Sequence, residues 1–456
     1  MEKTNAPLIL GTEKISKLLM QFAMPAIIAM TASSIYNIVD SIFIGHGVGA
    51  LAISGLAITF PLMNLAAAFG SLVGVGASTW VSVKLGERDY EGANHVLGNV
   101  LVLNVILGLL FTVVFLCFLD PILLFFGASD VTLPYAHDYM VVILLGNVVT
   151  HLYFGLNAVL RASGFPKLAM YATLAAVVIN CILNPLFIFG FGWGIKGSAI
   201  ATVIAQVISL VGQMIHFFNP KQLLHFKKGI YGLKSELVKG ILSIGMSPFL
   251  MNLCACLIVI VINRSLKEYG GDMAVGAYGL VNRVGFLFVM IVMGFNQGMQ
   301  PIAGYNFGAR LYPRVTEVTK LTMLYATGVT TLGFLLCELI PSSIIRMFTT
   351  DAELIKVSVY GLRITFAVFP IVGFQMVATN FFTSIGMAKK AIFLSLSRQL
   401  LFLLPCLLFL PPFYGVTGVW LSSPISDIVS TVVTSWVLIY QFRQFKIQDK
   451  KVEISQ

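Results

Sequence analysis

Charge is scarce in this sequence. Asp, Glu, Lys and Arg make up 11% of its 456 residues, against roughly 25% in an average soluble domain. A soluble chain of this length could not cover its surface with so few ionic groups. A soluble enzyme, a nucleic-acid-binding domain and a disordered chain are therefore excluded together. Histidine is also rare. The six (His46, His95, His137, His151, His216, His225) show no metal-ligand spacing. The six cysteines (Cys117, Cys181, Cys254, Cys256, Cys337, Cys406) all lie inside apolar runs. They read as small buried side chains rather than disulfide partners. No Gly-Lys-Ser/Thr phosphate loop occurs, and the short loops hold no cluster of nucleophile and base. The expectation is a chain that is not an enzyme and carries no cofactor.

What is present is apolar: 58% of residues are hydrophobic. A spanning helix needs about 20 such residues in a row. Twelve runs qualify: Leu18–Ile44, Leu51–Val83, Ala93–Leu119, His137–Leu160, Leu168–Phe191, Gly197–Phe218, Leu237–Ile262, Ala274–Gln300, Thr316–Ile340, Val357–Ile385, Ala391–Leu410 and Gly418–Gln441. They are continuous rather than alternating, so they predict helices and not a barrel. Basic residues then set the orientation. With the N-terminus inside, 21 of the 29 Lys and Arg fall in inner segments and 5 in outer ones. The remaining Arg283, Arg363 and Arg398 lie within spans. This bias predicts a multi-pass protein of the cell (inner) membrane with both termini cytoplasmic. It also explains the net charge of +10 without nucleic acid.

The chain repeats itself. Lys84-Leu-Gly86-Glu-Arg88-Asp-Tyr90 returns 222 residues later as Asn306-Phe-Gly308-Ala-Arg310-Leu-Tyr312. The same shift carries Gly76 to Gly298, Val96 to Val318, Phe126 to Phe348 and Gly164-Phe-Pro-Lys167 to Gly386-Met-Ala-Lys389. Pro25 meets Pro248 at a shift of 223. Six spans per copy is an even number, so both copies enter the membrane in the same sense. The predicted fold is all-α: twelve transmembrane helices in two six-helix lobes related by a parallel internal repeat. Residues 1–218 form the expected N-lobe, 219–240 a cytoplasmic linker and 241–456 the C-lobe with its tail. A cleft between two lobes suits alternating access.

Several stretches carry a resemblance to a known family. Helix 1 reads Tyr36-Asn-Ile-Val-Asp40-Ser-Ile-Phe-Ile-Gly45, with Pro25 upstream. Helix 4 ends Leu160-Arg-Ala-Ser-Gly164, helix 5 carries Asn180-Cys-Ile-Leu-Asn184-Pro185, and helix 8 ends Gln297-Gly-Met-Gln-Pro301-Ile-Ala-Gly-Tyr-Asn306-Phe-Gly308. In order and spacing, over almost the whole chain, this resembles the multidrug and toxic compound extrusion (MATE) transporters. The resemblance implies antiport of organic compounds against H⁺ or Na⁺ without covalent chemistry.

Ionisable groups inside a membrane cost at least about 2.5–3.5 kcal/mol on insertion scales, so each is a candidate for function. Asp40 leads. It sits five residues before Gly45, the outer end of helix 1. Asn180 and Asn184 share one helix face and lie at a similar depth, as do Thr202 and Tyr139. Such a set can hold a proton or bind a hard cation through oxygen. In the family, the equivalents of Asp40, Asn180, Asn184 and Thr202 form the cation site of the N-lobe, and those of Tyr139 and Asn157 line its cavity. The family often has an aspartate where this chain has Asn184. One carboxylate favours H⁺ over Na⁺ as coupling ion, with Na⁺ at Asp40, Asn180, Asn184 and Thr202 as the alternative and no resident metal.

The second half does not copy Asp40: the 223 shift meets Asn263 and the 222 shift turns Asn180 into Phe402. It holds instead Arg398 and Asp427, at depths their side chains can bridge as a structural or functional pair. Pro25 is the expected hinge. The function expected is multidrug efflux of amphipathic, cationic organic compounds by a cation-coupled antiporter, acting as a monomer on small substrates in the lipid bilayer. A flippase for a lipid-linked precursor, from the same superfamily, is the alternative.

Overall fold

The computed structural model describes residues 9–454, and their side chains except those of 37, 38, 50 and 450–454. Among the described residues there is no strand. A backbone in hydrocarbon must satisfy its polar groups within its own segment, and the helix does so. The spans are α1 (Ile15–Gly47), α2 (Ala50–Gly86), α3 (Tyr90–Cys117), α4 (Leu133–Leu145 and Asn147–Ala162), α5 (Pro166–Pro185, with a π-helical turn at Leu186–Gly190) and α6 (Gly194–Phe218). They continue as α7 (235–270), α8 (272–308), α9 (Tyr312–Leu339), α10 (Ala352–Phe366 and Phe369–Ser384), α11 (Ala388–Leu396, π-helical Ser397–Leu403, Leu404–Phe409) and α12 (Val416–Ile454). α7 and α8 run on from one another through Gly271, whose φ of 68° breaks the helical path. α4 and α10 are broken spans, bent by 55° and 52°. The twelve expected spans are all present.

The repeat extends to backbone detail. α3 and α9 begin at Tyr90 and Tyr312, the second parts of α4 and α10 at Asn147 and Phe369, α5 and α11 at Pro166 and Ala388, α6 and α12 at Gly194 and Val416. Every pair is 222 residues apart. The left-handed residues recur too: Gly49 with Gly271, Gly164 with Gly386, and Arg88 (φ 60°) with Arg310 (φ 59°). The two arginines show that the sharp turn after the second helix of each copy outweighs the side chain's aversion to that region.

The chain divides into two compact units. One holds Ile28–Phe249; the other holds Lys14–Ile27 and the chain from Leu250 on. The boundaries fall inside α1 and α7, just past Pro25 and Pro248, whereas the sequence reading placed them in the linker. Glycine explains the exchange. In the first unit, a Cβ on Gly245 would lie 1.7 Å from the Leu72 carbonyl oxygen, and one on Gly76 2.0 Å from that of Ile241. The start of α7 thus lies backbone to backbone against α2. In the second unit, Gly294 and Gly298 of α8 stand in the same relation to Ile27 and Ala23 of α1. The linker is held as well. Asn94 and Asn99 of α3 donate to the carbonyls of Leu223 and Gly232 at 3.2 Å each, and Asn94 accepts from the His225 amide at 3.0 Å. Those two amides fix the linker to the first unit.

Candidate functional site

Asp40 lies on α1 and is 6% exposed. Its Oδ1 accepts from Ser198 Oγ of α6 at 2.6 Å and from Asn184 Nδ2 of α5. One helical turn toward the membrane centre a second set forms. Tyr36 Oη meets Thr202 Oγ1 at 3.0 Å, and Asn180 Nδ2 donates to Thr202 Oγ1 at 2.9 Å. Each helix contributes two residues four apart: Tyr36 and Asp40, Asn180 and Asn184, Ser198 and Thr202. That spacing puts both members on one face. The site is therefore two stacked layers across α1, α5 and α6.

A buried carboxylate needs donors or a counter-charge. Among the described residues Asp40 has donors and no basic partner. The two amides are used on one side only. Asn180 Oδ1 and Asn184 Oδ1 are buried and have no partner among the described residues. The layers thus combine a carboxylate, hydroxyls and two unused amide oxygens. Such oxygens can accept a proton's hydrogen bond or ligate a hard cation. Among the described residues no group of three His, Cys, Asp or Glu could hold a metal.

The structure brings together Asp40, Asn180, Asn184 and Thr202, and adds Ser198 and Tyr36. Both additions were legible as the residues four before Thr202 and Asp40. Tyr139 is 1% exposed and packs in an apolar cluster with Ile44, Leu56, Leu62 and Ile195. Asn157 lies elsewhere. Its Nδ2 donates to Ala169 O at 2.9 Å and Thr173 Oγ1 at 3.4 Å, and its Oδ1 accepts from Arg161. Pro25 lies within α1, which stays helical through it.

In the second unit Arg398 Nε donates to Asp427 Oδ1 at 2.8 Å. Gln375 of α10 donates to Ser430 Oγ, which donates to Asp427 O at 3.3 Å. At the 222 shift, Asp40, Asn180, Asn184, Ser198 and Thr202 become Ile262, Phe402, Cys406, Trp420 and Pro424. Ile262 and Trp420 are part of that unit's apolar core. The copy is thus filled, not merely uncharged.

The comparisons with known proteins agree with this architecture. Multidrug export protein MepA of Staphylococcus haemolyticus (strain JCSC1435) is 28% identical over 436 residues, 96% of each chain. MepA of Staphylococcus aureus (strain NCTC 8325 / PS 47) is 29% identical over 431 residues, 94% of each. The solved MATE multidrug transporter DinF-BH is 38% identical, with a TM-score of 0.87 over 95% of this chain and 97% of that one. A MATE crystal structure in the bent conformation has a TM-score of 0.92 at 22% identity, a likeness of fold. A family model described as MatE matches residues 25–186 and again 247–408. With each copy of its repeat matched by that one model, the chain belongs to the MatE family.

Proposed function

We propose that this chain is a multidrug exporter in which Asp40 carries the coupling ion, a proton, in exchange for an amphipathic organic cation. The observation that carries the reading is the half-used amide pair beside a lone buried carboxylate. Ionised Asp40 takes hydrogen bonds from Asn184 Nδ2 and Ser198 Oγ. A protonated Asp40 must donate one instead, and Asn184 Oδ1 has no other partner. Rotation of one amide by half a turn then satisfies either state. A cationic substrate favours the ionised state and a proton removes it, which is the differential affinity antiport requires.

Na⁺ is the second reading, since the unused oxygens would suit a hard cation. The flippase reading is weaker. It calls for a strongly cationic central cavity, and two of the three second-lobe span arginines face a carboxylate: Arg398 is paired with Asp427 and Arg363 lies 3.9 Å from Glu338. The names of the MepA relatives favour export. We place the chain in the cell membrane as a monomer with both termini cytoplasmic, on the bias of its basic residues. The test is dye efflux from everted vesicles under an imposed pH gradient, then an imposed Na⁺ gradient. Efflux driven by ΔpH alone is expected; efflux that answers only to Na⁺ would replace the proton with the metal ion.

A further inference from the structure

We propose that the linker end of the first unit holds an oxyanion-binding site, built around Arg161 and suited to the phosphate of a lipid headgroup or of a free phosphate. Arg161 ends α4 and is partly buried. Its guanidinium donates to the neutral Asn157 Oδ1. Among the described residues no carboxylate lies within 4.0 Å of it, and the ionisable group in its electrostatic range is Tyr153. A membrane arginine of this kind is ordinarily neutralised, because an uncompensated charge away from water is costly. Arg398 of α11 shows the usual solution, on Asp427. The second copy has Thr383 at the equivalent position, so the repeat's architecture does not require the arginine.

A second observation points to the same place. Gln213 of α6 is 1% exposed, and among the described residues neither Nε2 nor Oε1 of its amide has a partner. Ser209 donates to Ala172 O at 2.9 Å, so α6 packs on α5 along this face. Gln213 lies one turn further toward the linker and faces the first turn of α5. Asn157 Nδ2 reaches Ala169 O in that same turn. Arg161 and Gln213 therefore approach the start of α5 from its two sides. His216 at 4.6 Å from Phe165 confirms that this turn adjoins the end of α6. The start of α5 adds donors: Phe165 offers it no side-chain cap, and Lys167 is exposed there with no ion pair among the described residues. A guanidinium, an ammonium, an amide N–H and helix-terminal N–H groups at the one end of α5 are donors of the kind that the oxygens of a phosphate accept. The position, at the end of a span beside the basic linker, is headgroup depth for one leaflet.

The test is the unfolding midpoint of the full chain in nanodiscs. One set is phosphatidylcholine, one adds phosphatidylglycerol, and one is phosphatidylcholine with inorganic phosphate against sodium chloride of equal ionic strength. Wild type is expected to gain stability with phosphatidylglycerol. Arg161→Gln and Lys167→Gln should raise the half-saturating lipid fraction about tenfold, as loss of a charge-assisted hydrogen bond implies. Lys227→Gln, on the exposed linker, should not. Lys167→Gln leaves the Asn157 bond intact and guards against a misfolded Arg161 variant. An Arg161-dependent gain with inorganic phosphate and none with the lipid would assign the site to a free oxyanion, within the same proposal. Equal gains in wild type, Arg161→Gln and Lys167→Gln, or no gain in any set, would overturn it.

Discussion

Asp40 was legible because a carboxylate inside an apolar run has few innocent explanations, and its depth selected Asn180, Asn184 and Thr202. Ser198 and Tyr36 were not chosen, because a lone hydroxyl in a membrane helix is ordinary until its partner is placed. They give the sharper tests. Asp40→Asn should abolish ΔpH-driven efflux in a folded protein; efflux at the wild-type rate would end the proposal. Ser198→Ala removes a donor to an ionised group, worth about 1.5–3 kcal/mol. Efflux should fall roughly tenfold while Tyr153→Phe, in the other polar set of the lobe, leaves coupling unchanged. Asn184→Asp should bring Na⁺ dependence, because cation affinity follows ligand charge. Outside the membrane, Asp89 caps α3 through the Gly92 amide at 2.8 Å, and that bond, helped by Lys84 at 3.0 Å, holds its carboxyl below the usual range. A lowered folded-state pKa contributes stability above the ordinary carboxylate range and loses it as pH falls through the folded value. Asp89→Ala should cost about 1 kcal/mol at neutral pH, as cap losses do. It should also flatten the acid limb of a thermal unfolding series.

At the level of the helix, hydropathy found every span but not where a span breaks or changes its neighbours. A bend at Gly146 and a run through Gly271 leave apolar composition untouched, so a window of hydropathy passes over both. The exchange of helix ends was hidden for a related reason. The glycines that permit it (Gly76, Gly245, Gly294, Gly298) read as generic small residues until their contacts are known. Because α1 and α7 pass from one unit to the other just beyond Pro25 and Pro248, both prolines lie where a hinge would act. A missing amide hydrogen bond lowers the cost of bending there. Pro25→Ala and Pro248→Ala should each slow efflux several-fold while leaving the Asp40 site intact, which proton uptake on protein titration would report. Wild-type efflux in both would mean that the bends are static. Gly245→Ala is the packing counterpart. Its Cβ meets backbone, which cannot rotate aside, so loss of folded protein on size exclusion is expected rather than a kinetic effect.

Across the whole molecule, duplication supplied the scaffold and divergence divided the labour. The two copies share helix starts and left-handed turns to the residue, yet each is polar where the other is apolar. The equivalents of the Asp40 set are Ile262, Phe402, Cys406, Trp420 and Pro424, while Arg398 and Asp427 stand opposite Ala176 and Ala205. On the proposed reading the first lobe carries the ion, and the question is what the second lobe's ion pair does. Asp427 is 7% exposed and the pair is tied by Ser430 to α10 and by the Ser426 bond to Arg398 O at 2.9 Å. A pair so embedded fits a strut between α10, α11 and α12. Removing one partner of a fully buried pair strands a charge and costs about 3–5 kcal/mol, less here because the Arg398 side chain is 34% exposed, whereas replacing both by apolar residues is often neutral. Arg398→Met and Asp427→Leu should therefore each lower the unfolding midpoint, and the double variant should recover both midpoint and ΔpH-driven efflux. A double variant that folds normally but no longer couples efflux to protons would show that the second lobe also carries an ion, and would return the coupling mechanism to both halves of the repeat.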